Sequence, residues 1–440
     1  MRKNIVFFFT DQQRADTLSP EIMPNLSQLQ NEGVTFFNNF TCQPVCGPAR
    51  ACIQTGVYAT QSGCCINGIP LSENTKTLAN YFNEAGYQTA YIGKWHLASD
   101  LLPGIGFHCE KTAVPKSKQG GYSYWRASDV LEFTSHGYDG YLFDENGRKL
   151  DFKGYRADCI TDFAMEFLDN RDNSKPFFLF ISQLEPHHQN DRFRFEGYKE
   201  TVDKFKNYPI PHDLEFLKGD YKEQLPDYLS AVNRLDYNVG RITEKLKQLN
   251  IYDDTVIVFS SDHGCHFKTR NSEYKRCCHD NTVHTPLVIS GGKFKGGIQI
   301  RSLSSLIDLP PTFLSIADIN IPNYYMGYDL STVINENGFK RDNVFIQISE
   351  SQCGRAIRTQ KYMYSVRCPI KGDWLLHSSD VYAEDYLYDI ENDPYEKNNL
   401  VKEHELEEIR EALRKILLNE MQKAGEKLPN IKKARKVRRK

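Results

Sequence analysis

Four short apolar runs, each followed by polar residues, constrain the fold of this chain most. The first, Asn4 to Thr10, is apolar between its end residues and leads into Asp11. This pattern is typical of a strand buried on both faces of a parallel sheet, because neither face can then carry polar side chains. The other three runs are Thr89 to Ile92 before Gly93-Lys94-Trp95-His96, Pro176 to Ser182 before Glu185-Pro186-His187-His188, and Thr255 to Ser261 before Asp262-His263-Gly264.

Helical patterns lie between these runs. Leu78 to Ala85 is closed by Gly86. A longer segment has apolar residues at spacings of three and four, which puts them on one helix face: Val232, Leu235, Val239, Ile242, Leu246 and Leu249. Strands that alternate with helices predict an α/β fold, with a doubly wound, mostly parallel sheet flanked by helices. Ligands of such sheets bind beyond the carboxyl ends of the strands. Those ends carry Asp11, Lys94, His96, His187, Asp262 and His263.

The pattern changes near Val344, where short strand-like segments precede an amphipathic helix. The segments are Val344–Ile348, Tyr362–Val366 and Tyr386–Tyr388, and the helix has Leu406, Ile409, Leu413 and Ile416 on one face. A chain of 440 residues is long enough for one large and one small domain. We predict a catalytic α/β domain over residues 1–340, a smaller C-terminal α+β domain over 341–428, and a basic tail over 429–440. A solvated tail is favoured over a docking element for anionic polymers.

Composition argues against a disordered protein and against a membrane protein. Hydrophobic residues make up 40% of the chain, charged residues 25%, and the net charge is −2, which is ordinary for a soluble globular protein. The positively charged start resembles an export signal, but the apolar run behind it ends at Asp11. No stretch approaches the roughly 20 apolar residues that span a bilayer. We therefore expect a cytoplasmic protein without nucleic-acid or membrane partners.

The twelve cysteines are expected to be reduced, buried thiols. Adjacent pairs such as Cys64-Cys65 and Cys277-Cys278, in a long chain without an export signal, do not fit a disulfide framework. A structural zinc site is not favoured either, because Cys42-x₃-Cys46 has no second half with matching spacing.

One of these cysteines stands at the start of a short predicted helix. In Cys46-Gly47-Pro48-Ala49-Arg50 the proline lies within the first turn, and Gly56 follows the last one. Backbone N–H groups and the dipole at a helix N-terminus favour an anion, so the thiol should be reactive. Taken alone, the segment also fits a simple low-pKa or buried cysteine.

This segment, with its flanks, resembles the C-x-P-x-R element of the sulfatase family, in which the cysteine is oxidised to formylglycine. Other segments agree with the family in the same order: Thr10-Asp11-Gln12-Gln13-Arg14-Ala15-Asp16, Gly93-Lys94-Trp95-His96-Leu97, Pro186-His187, Ser261-Asp262-His263-Gly264, Lys275 eleven residues before Pro286, and Arg355-Ala356-Ile357-Arg358-Thr359. The chain is thus identified as a member of the type I sulfatases of the alkaline-phosphatase-like superfamily.

The resemblance implies a divalent cation and a formylglycine at position 46. Asp11, Gln12 and Asp262 offer oxygen ligands, which fit Ca²⁺, or Mg²⁺, better than zinc. His263 stands where relatives carry Asn or His and would complete the shell through a ring nitrogen, with residue 46 as a further metal contact.

The resemblance also assigns the catalytic roles. Lys94, Lys275 and Arg50 would surround the nucleophile and the sulfate oxygens. His96 would assist at the formylglycine hydroxyl, and His187 would protonate the leaving oxygen. His188 competes for that role, but His187 directly follows Pro186, as in the family's P-H pair. The hydrated formylglycine would attack sulfur, and its second hydroxyl would then release inorganic sulfate.

The substrate is less constrained. Two predicted loops, Gly120–Tyr141 and Gln189–Asp227, carry residues suited to sugar rings and uronate carboxylates: Tyr122, Tyr124, Trp125, Arg126, Arg192 and Arg194. We therefore expect a sulfated carbohydrate, such as a glycosaminoglycan-derived saccharide, and a formylglycine-generating enzyme as maturation partner. The alternatives are a phosphonate or phosphate monoester hydrolase of the same superfamily, and a non-catalytic binder of sulfated glycans.

Overall fold

A computed structural model describes residues 3–100, 108–334 and 340–434, and within them the chain forms two sheets. The large sheet contains β1 (Asn4–Thr10), β2 (Val34–Phe40), β3 (Gln88–Lys94), β4 (Tyr124–Ser128), β5 (Ser135–His136), β6 (Asp139–Asp144), β7 (Lys149–Lys153), β8 (Phe177–Ser182), β9 (Thr255–Ser261), β10 (Leu287–Ser290) and β11 (Ile298–Ser305). The small sheet contains β12 (Asn343–Ile348), β13 (Gly354–Thr359), β14 (Tyr362–Arg367), β15 (Val381–Asp389) and β16 (Asn430–Lys432).

Eleven α-helices lie in the same described residues. They are α1 (Pro24–Glu32), α2 (Cys46–Thr55), α3 (Ala59–Ser62), α4 (Leu78–Glu84), α5 (Leu131–Thr134), α6 (Arg156–Asn170), α7 (His212–Glu215), α8 (Tyr221–Gln248), α9 (Asp280–Val283), α10 (Leu309–Ile316) and α11 (Glu407–Lys423). In the described part of the chain, none of them is both long and apolar enough to cross a membrane. All twelve cysteines are buried and form no disulfide.

The large sheet is mostly parallel at its centre. Its strands follow the order β11-β2-β10-β9-β1-β8-β3-β4-β6-β5, with β7 paired to β6. The five strands β9, β1, β8, β3 and β4 run parallel to one another, whereas β10 runs antiparallel to both of its neighbours. The predicted fold class is therefore confirmed, including the second, smaller domain.

Alternation along β1 explains why helices cover both faces of this sheet. Successive side chains of a strand point to opposite faces. Phe7 and Phe9 pack into a core shared with α2, α4 and α10, while Val6 and Phe8 pack into a second core shared with α1, α6 and α8. Because both faces of this strand are covered, polar side chains can occur only at its ends, and Asp11 directly follows it.

The small sheet continues one of these cores instead of forming a separate one. Phe345 of β12 and Tyr364 of β14 belong to the same cluster as Phe7, and the rings of Tyr58 and Phe345 lie 5.1 Å apart. The domain bounds stay predictions, with one correction. Part of the predicted basic tail, 429–440, is strand β16, because Ile431 packs into this core and pairs with Tyr382; residues 435–440 lie outside the described range.

The Gly120–Tyr141 segment is also not the loop that the sequence predicted. Tyr124–Ser128 is β4, parallel to β3. Tyr122 and Trp125 are fully buried and pack against Tyr91, so they cannot contact a sugar. An aromatic-rich segment between glycines fits a binding loop and a core strand equally well, and here core packing decides.

A buried ion pair joins the small sheet to the chain after α11, and we expect its loss to destabilise the fold. Arg355 Nε lies 2.8 Å from Glu426 Oε1, and both side chains are buried. Glu426→Ala leaves the guanidinium without its counter-charge, which should lower the free energy of unfolding by ~3–5 kcal/mol. The matched control is Asp380→Ala, which breaks the exposed pair with Lys427 and should cost ~0–1 kcal/mol. Equal losses in urea denaturation would contradict this reading.

Candidate active site

The polar residues predicted at strand ends meet at one edge of the large sheet. Asp11 follows β1, Lys94 ends β3, His187 lies beyond β8, and Asp262 with His263 follows β9. These four strands are adjacent and parallel, with Thr10 opposite Ser261 and Gly93 opposite Ser182. Their carboxyl ends therefore lie side by side, which is where open α/β sheets bind ligands.

Helix α2 brings Cys46 to this edge. The helix begins at Cys46, after the extended residue Val45, and Gly56 ends it with a φ of 71°. The Gly47 N–H donates to Asn67 Oδ1 at 2.9 Å. A Cβ on Gly47 would stand 2.9 Å from that oxygen, so glycine allows this close approach. The thiol thus lies at the predicted helix N-terminus and is buried.

Three charged or polar groups surround the Cys46 sulfur. Lys275 Nζ lies 2.7 Å from Sγ, and Asp11 Oδ1 and His263 Nε2 both lie 3.4 Å from it. Lys275 belongs to the segment between β9 and α9. The structure thus brings a residue from a long loop against the helix that carries the predicted nucleophile.

Four side chains could hold a cation. One donor atom each from Asp11, Cys46, Asp262 and His263 lies within 4.8 Å of the others, and all four residues are buried. His263 Nδ1 lies 2.9 Å from the Gly264 carbonyl oxygen. Because a carbonyl can only accept, Nδ1 must donate, so Nε2 carries the lone pair; it faces Lys275 Nζ at 3.1 Å and could instead bind a cation. The donor set therefore fits a bound cation.

Gln12 lies beside this set. Its backbone N–H donates to Asp262 Oδ1 at 3.0 Å, and its side-chain amide nitrogen lies 3.4 Å from Cys265 Sγ. Its role as a metal ligand through the side-chain oxygen stays a prediction.

Positive side chains contact the carboxylates of Asp11 and Asp262, and Arg50 bridges the two. Arg50 Nη2 lies 3.0 Å from Asp11 Oδ2 and 3.3 Å from Asp262 Oδ2, while its Nη1 donates to Ser182 Oγ at 2.6 Å. Lys94 Nζ lies 2.9 Å from Asp11 Oδ2. All these side chains are buried, so their mutual attraction is screened little by solvent.

The charges of the cluster shift the pKa values of its acids in opposite directions. Burial acts to raise the pKa of Asp11, but Lys94, His187 and Lys275 outweigh it and hold that pKa well below its usual range. Burial and the charge of Asp11 raise the pKa of Asp262 to about 6. Burial also acts upward on Cys46, but Lys275, Lys94 and His263 outweigh it and keep its pKa well below that of an ordinary thiol. Close acids with diverging pKa values are typical of functional sites.

The histidines differ in their placement. His187 Nε2 lies 3.4 Å from Lys275 Nζ and 3.9 Å from Asp11 Oδ1. His188 instead packs its ring on Tyr274, at 4.4 Å between centroids. His96 is half-buried, and its Nδ1 has no hydrogen-bond partner among the described residues. This arrangement favours His187 over His188 as the acid, and the catalytic roles of His96 and His187 stay predictions.

Two polar residues of the cluster were missed by the sequence reasoning. Ser182, the last residue of β8, accepts from Arg50, and Glu132 of α5 lies 3.1 Å from Lys94 Nζ. The position of Ser182 at a strand end was an available signal. No sequence signal marked Glu132, because the segment that forms β4 just before it was predicted to be a loop.

Comparisons with known proteins agree with this geometry. The family model described as Sulfatase matches residues 3–319, and the model described as N-sulphoglucosamine sulphohydrolase, C-terminal, matches residues 272–423. The first match alone covers most of the chain. The protein belongs to the sulfatase family of sulfuric ester hydrolases, which confirms the identification made from its motifs.

Individual relatives and neighbours are similar over nearly the whole chain. An N-acetylglucosamine-6-O-sulfatase of Bacteroides thetaiotaomicron is 27% identical over 94% of this chain and 86% of its own length. The structure of a sulfatase from Bacteroides fragilis superposes with a TM-score of 0.83 at 23% identity, covering 97% of each chain. A phosphonate monoester hydrolase of Agrobacterium radiobacter superposes with a TM-score of 0.70 at 20% identity, covering 96% of each chain. At these identities the two superpositions show a common fold only.

Proposed function

We propose that the protein hydrolyses the sulfate ester of a sulfated carbohydrate and releases inorganic sulfate through residue 46. The observation that carries this proposal is the contact of Lys275 Nζ with Cys46 Sγ at 2.7 Å, with Lys94 on the other side of Asp11. Sulfate ester hydrolysis needs a nucleophile, positive charge at the non-bridging oxygens and a proton for the departing oxygen. Buried side chains of this site offer all three.

Residue 46 would act as formylglycine, produced by a maturation enzyme. The hydrate of that aldehyde supplies one hydroxyl as nucleophile and a second that permits release of sulfate, which a plain thiol cannot do. Asp11, Gln12, Asp262 and His263, with residue 46, would hold Ca²⁺ or Mg²⁺, since most of these ligands are oxygens. Such an ion supplies charge that favours a deprotonated hydroxyl and neutralises sulfate oxygens.

Sulfate binding and proton transfer would be carried out by side chains of this chain. Lys94 and Lys275 would place ammonium groups on the sulfate oxygens, and Arg50 keeps the carboxylates of Asp11 and Asp262 in position. His187, in contact with Lys275, would give its proton to the leaving oxygen. His96 would act at the hydroxyls of residue 46.

A sulfated amino sugar, as found in glycosaminoglycans, is the substrate class that we favour. Support comes from the name of the Bacteroides thetaiotaomicron relative and from that of the second family model. The loop after His188 adds the exposed residues Arg192, Phe193 and Arg194, which suit an anionic sugar chain. Among the described residues, no contact of the site favours phosphate or phosphonate over sulfate. The cytoplasmic location stays a prediction.

Sulfate release tests this function directly. Protein coexpressed with a formylglycine-generating enzyme should release sulfate from monosulfated glucosamines and from nitrophenyl sulfate, and its residue-46 peptide should have the mass of the aldehyde. Cys46→Ala should lose activity on both substrates, whereas Cys42→Ala, four residues away in the core, should retain it. Faster turnover of nitrophenyl phosphate than of the sulfate, or full activity in Cys46→Ala, would overturn the proposal.

Substrates with different leaving groups distinguish a loss of acid catalysis by His187 from a general loss of activity. A sugar alkoxide needs a proton to depart, whereas nitrophenolate leaves nearly unaided. His187→Ala should slow a sugar sulfate by roughly 10²–10⁴-fold and nitrophenyl sulfate far less. His188→Ala is the matched control and should not show this selectivity. If the selective loss appears in His188→Ala instead, the acid is His188.

A further inference from the structure

One buried carboxylate of the site, that of Glu132, has no role in the proposed reaction. Glu132 lies in α5, just beyond β4, and only 7% of its surface is exposed. Its Oε1 lies 3.1 Å from Lys94 Nζ. Gln189 fixes the backbone beside it by donating from Nε2 to the Glu132 carbonyl oxygen at 3.0 Å. Lys94 thus holds the Glu132 side chain, and Gln189 holds its backbone.

The other carboxylate oxygen of Glu132 has no donor. Oε2 is buried and has no hydrogen-bond partner in the described part of the chain. Burial acts to raise the pKa of this group, but Lys94, His187 and His96 outweigh it and lower the pKa to about 2. Glu132 is therefore an anion at neutral pH. Buried anionic oxygens are rarely left without a donor, so a water molecule or a ligand is expected to supply one.

The neighbours of Glu132 indicate which part of a substrate lies beside it. Its backbone is hydrogen-bonded to Gln189, two residues after His187, the proposed donor to the leaving oxygen, and Lys94 stands between its carboxylate and that of Asp11. The sulfate group itself would be repelled by an anion. Lys94 donates towards Asp11 and Glu132 and still has one N–H for a sulfate oxygen. Glu132 thus lies on the sugar side of the scissile bond.

We propose that Glu132 is a specificity-determining residue, whose Oε2 accepts a hydrogen bond from a hydroxyl group of the sugar that carries the scissile sulfate. The inference rests on the proposed function. It predicts a preference for a sugar with a donor group next to the sulfate ester. A carboxylate or a second sulfate at that position would be disfavoured, because it would meet the Glu132 anion.

Glu132→Gln tests this role with little change of shape. The amide oxygen can still accept from Lys94, while the free acceptor becomes an N–H donor. The substrates are nitrophenyl sulfate, the monosulfated glucosamine that the wild type hydrolyses fastest, and the deoxy analogues of that sugar, each lacking one hydroxyl. Glu408→Gln is the control and should leave every rate unchanged, since Glu408 is exposed on α11 in the small domain. Thermal unfolding checks that both variants fold.

The expected result is a selective loss. In Glu132→Gln, kcat/KM for the sugar sulfate should fall roughly 10- to 100-fold, the usual effect of one hydrogen bond to a charged group, while nitrophenyl sulfate changes less than about threefold. One deoxy analogue should show the same loss in the wild type and no further loss in the variant.

Two outcomes would overturn the inference while the proposed function stands. An equal loss on aryl and sugar sulfates would make Glu132 only a positioning residue for Lys94. Unchanged kinetics on every sugar would mean that water satisfies Oε2. A wild type that releases sulfate from neither aryl nor sugar sulfates would instead remove the proposed function itself.

Discussion

Two buried carboxylates at neighbouring strand ends, Asp11 and Asp262, are the constraint on which the rest of this site depends. Two anions cannot be buried side by side unless positive charge accompanies them. Arg50 contacts both, Lys94 contacts one, and Lys275 reaches Cys46 between them. Each cation comes from a different element, so α2, β3 and the loop after β9 must all dock at this edge.

The small sheet takes part in this docking. Asn67 accepts from the Gly47 N–H, and the backbone and side-chain amides of Asn67 donate to Glu350, which follows β12. Glu350 also pairs with Arg276, the neighbour of Lys275. A chain of polar contacts thus runs from the start of α2 through the small domain to the loop that carries Lys275. The shared core and this network connect the small domain to the two elements that carry Cys46 and Lys275.

Much of this arrangement could be predicted from sequence, because its strongest signals are local. A run such as Asn4 to Thr10 is typical of a strand buried on both faces, and the polar residue after such a strand lies at the ligand-binding edge. Pro48 and Gly56 likewise mark the bounds of α2. These local rules bring Asp11 and Asp262 to one edge, whereas the place of Cys46 beside them followed from the family resemblance.

The parts that could not be predicted depend on tertiary contacts. Nothing local distinguishes Trp125 in a core strand from Trp125 on a binding loop, and the error about that strand concealed Glu132. Ile431, between polar and basic residues, also looked like part of a solvated tail until its packing against the small sheet was visible. In both cases the deciding partner is far away in sequence.

Binding of a divalent cation tests most directly whether Asp11, Asp262 and their neighbours form a metal site. Chelator-treated protein would be titrated with CaCl₂ by calorimetry, beside Asp262→Asn and the exposed control Asp253→Asn. The account predicts one Ca²⁺ per chain in the wild type and in Asp253→Asn, and loss of that binding in Asp262→Asn. Binding of equal strength in Asp262→Asn, or no binding of Ca²⁺ or Mg²⁺ to the wild type, would contradict it.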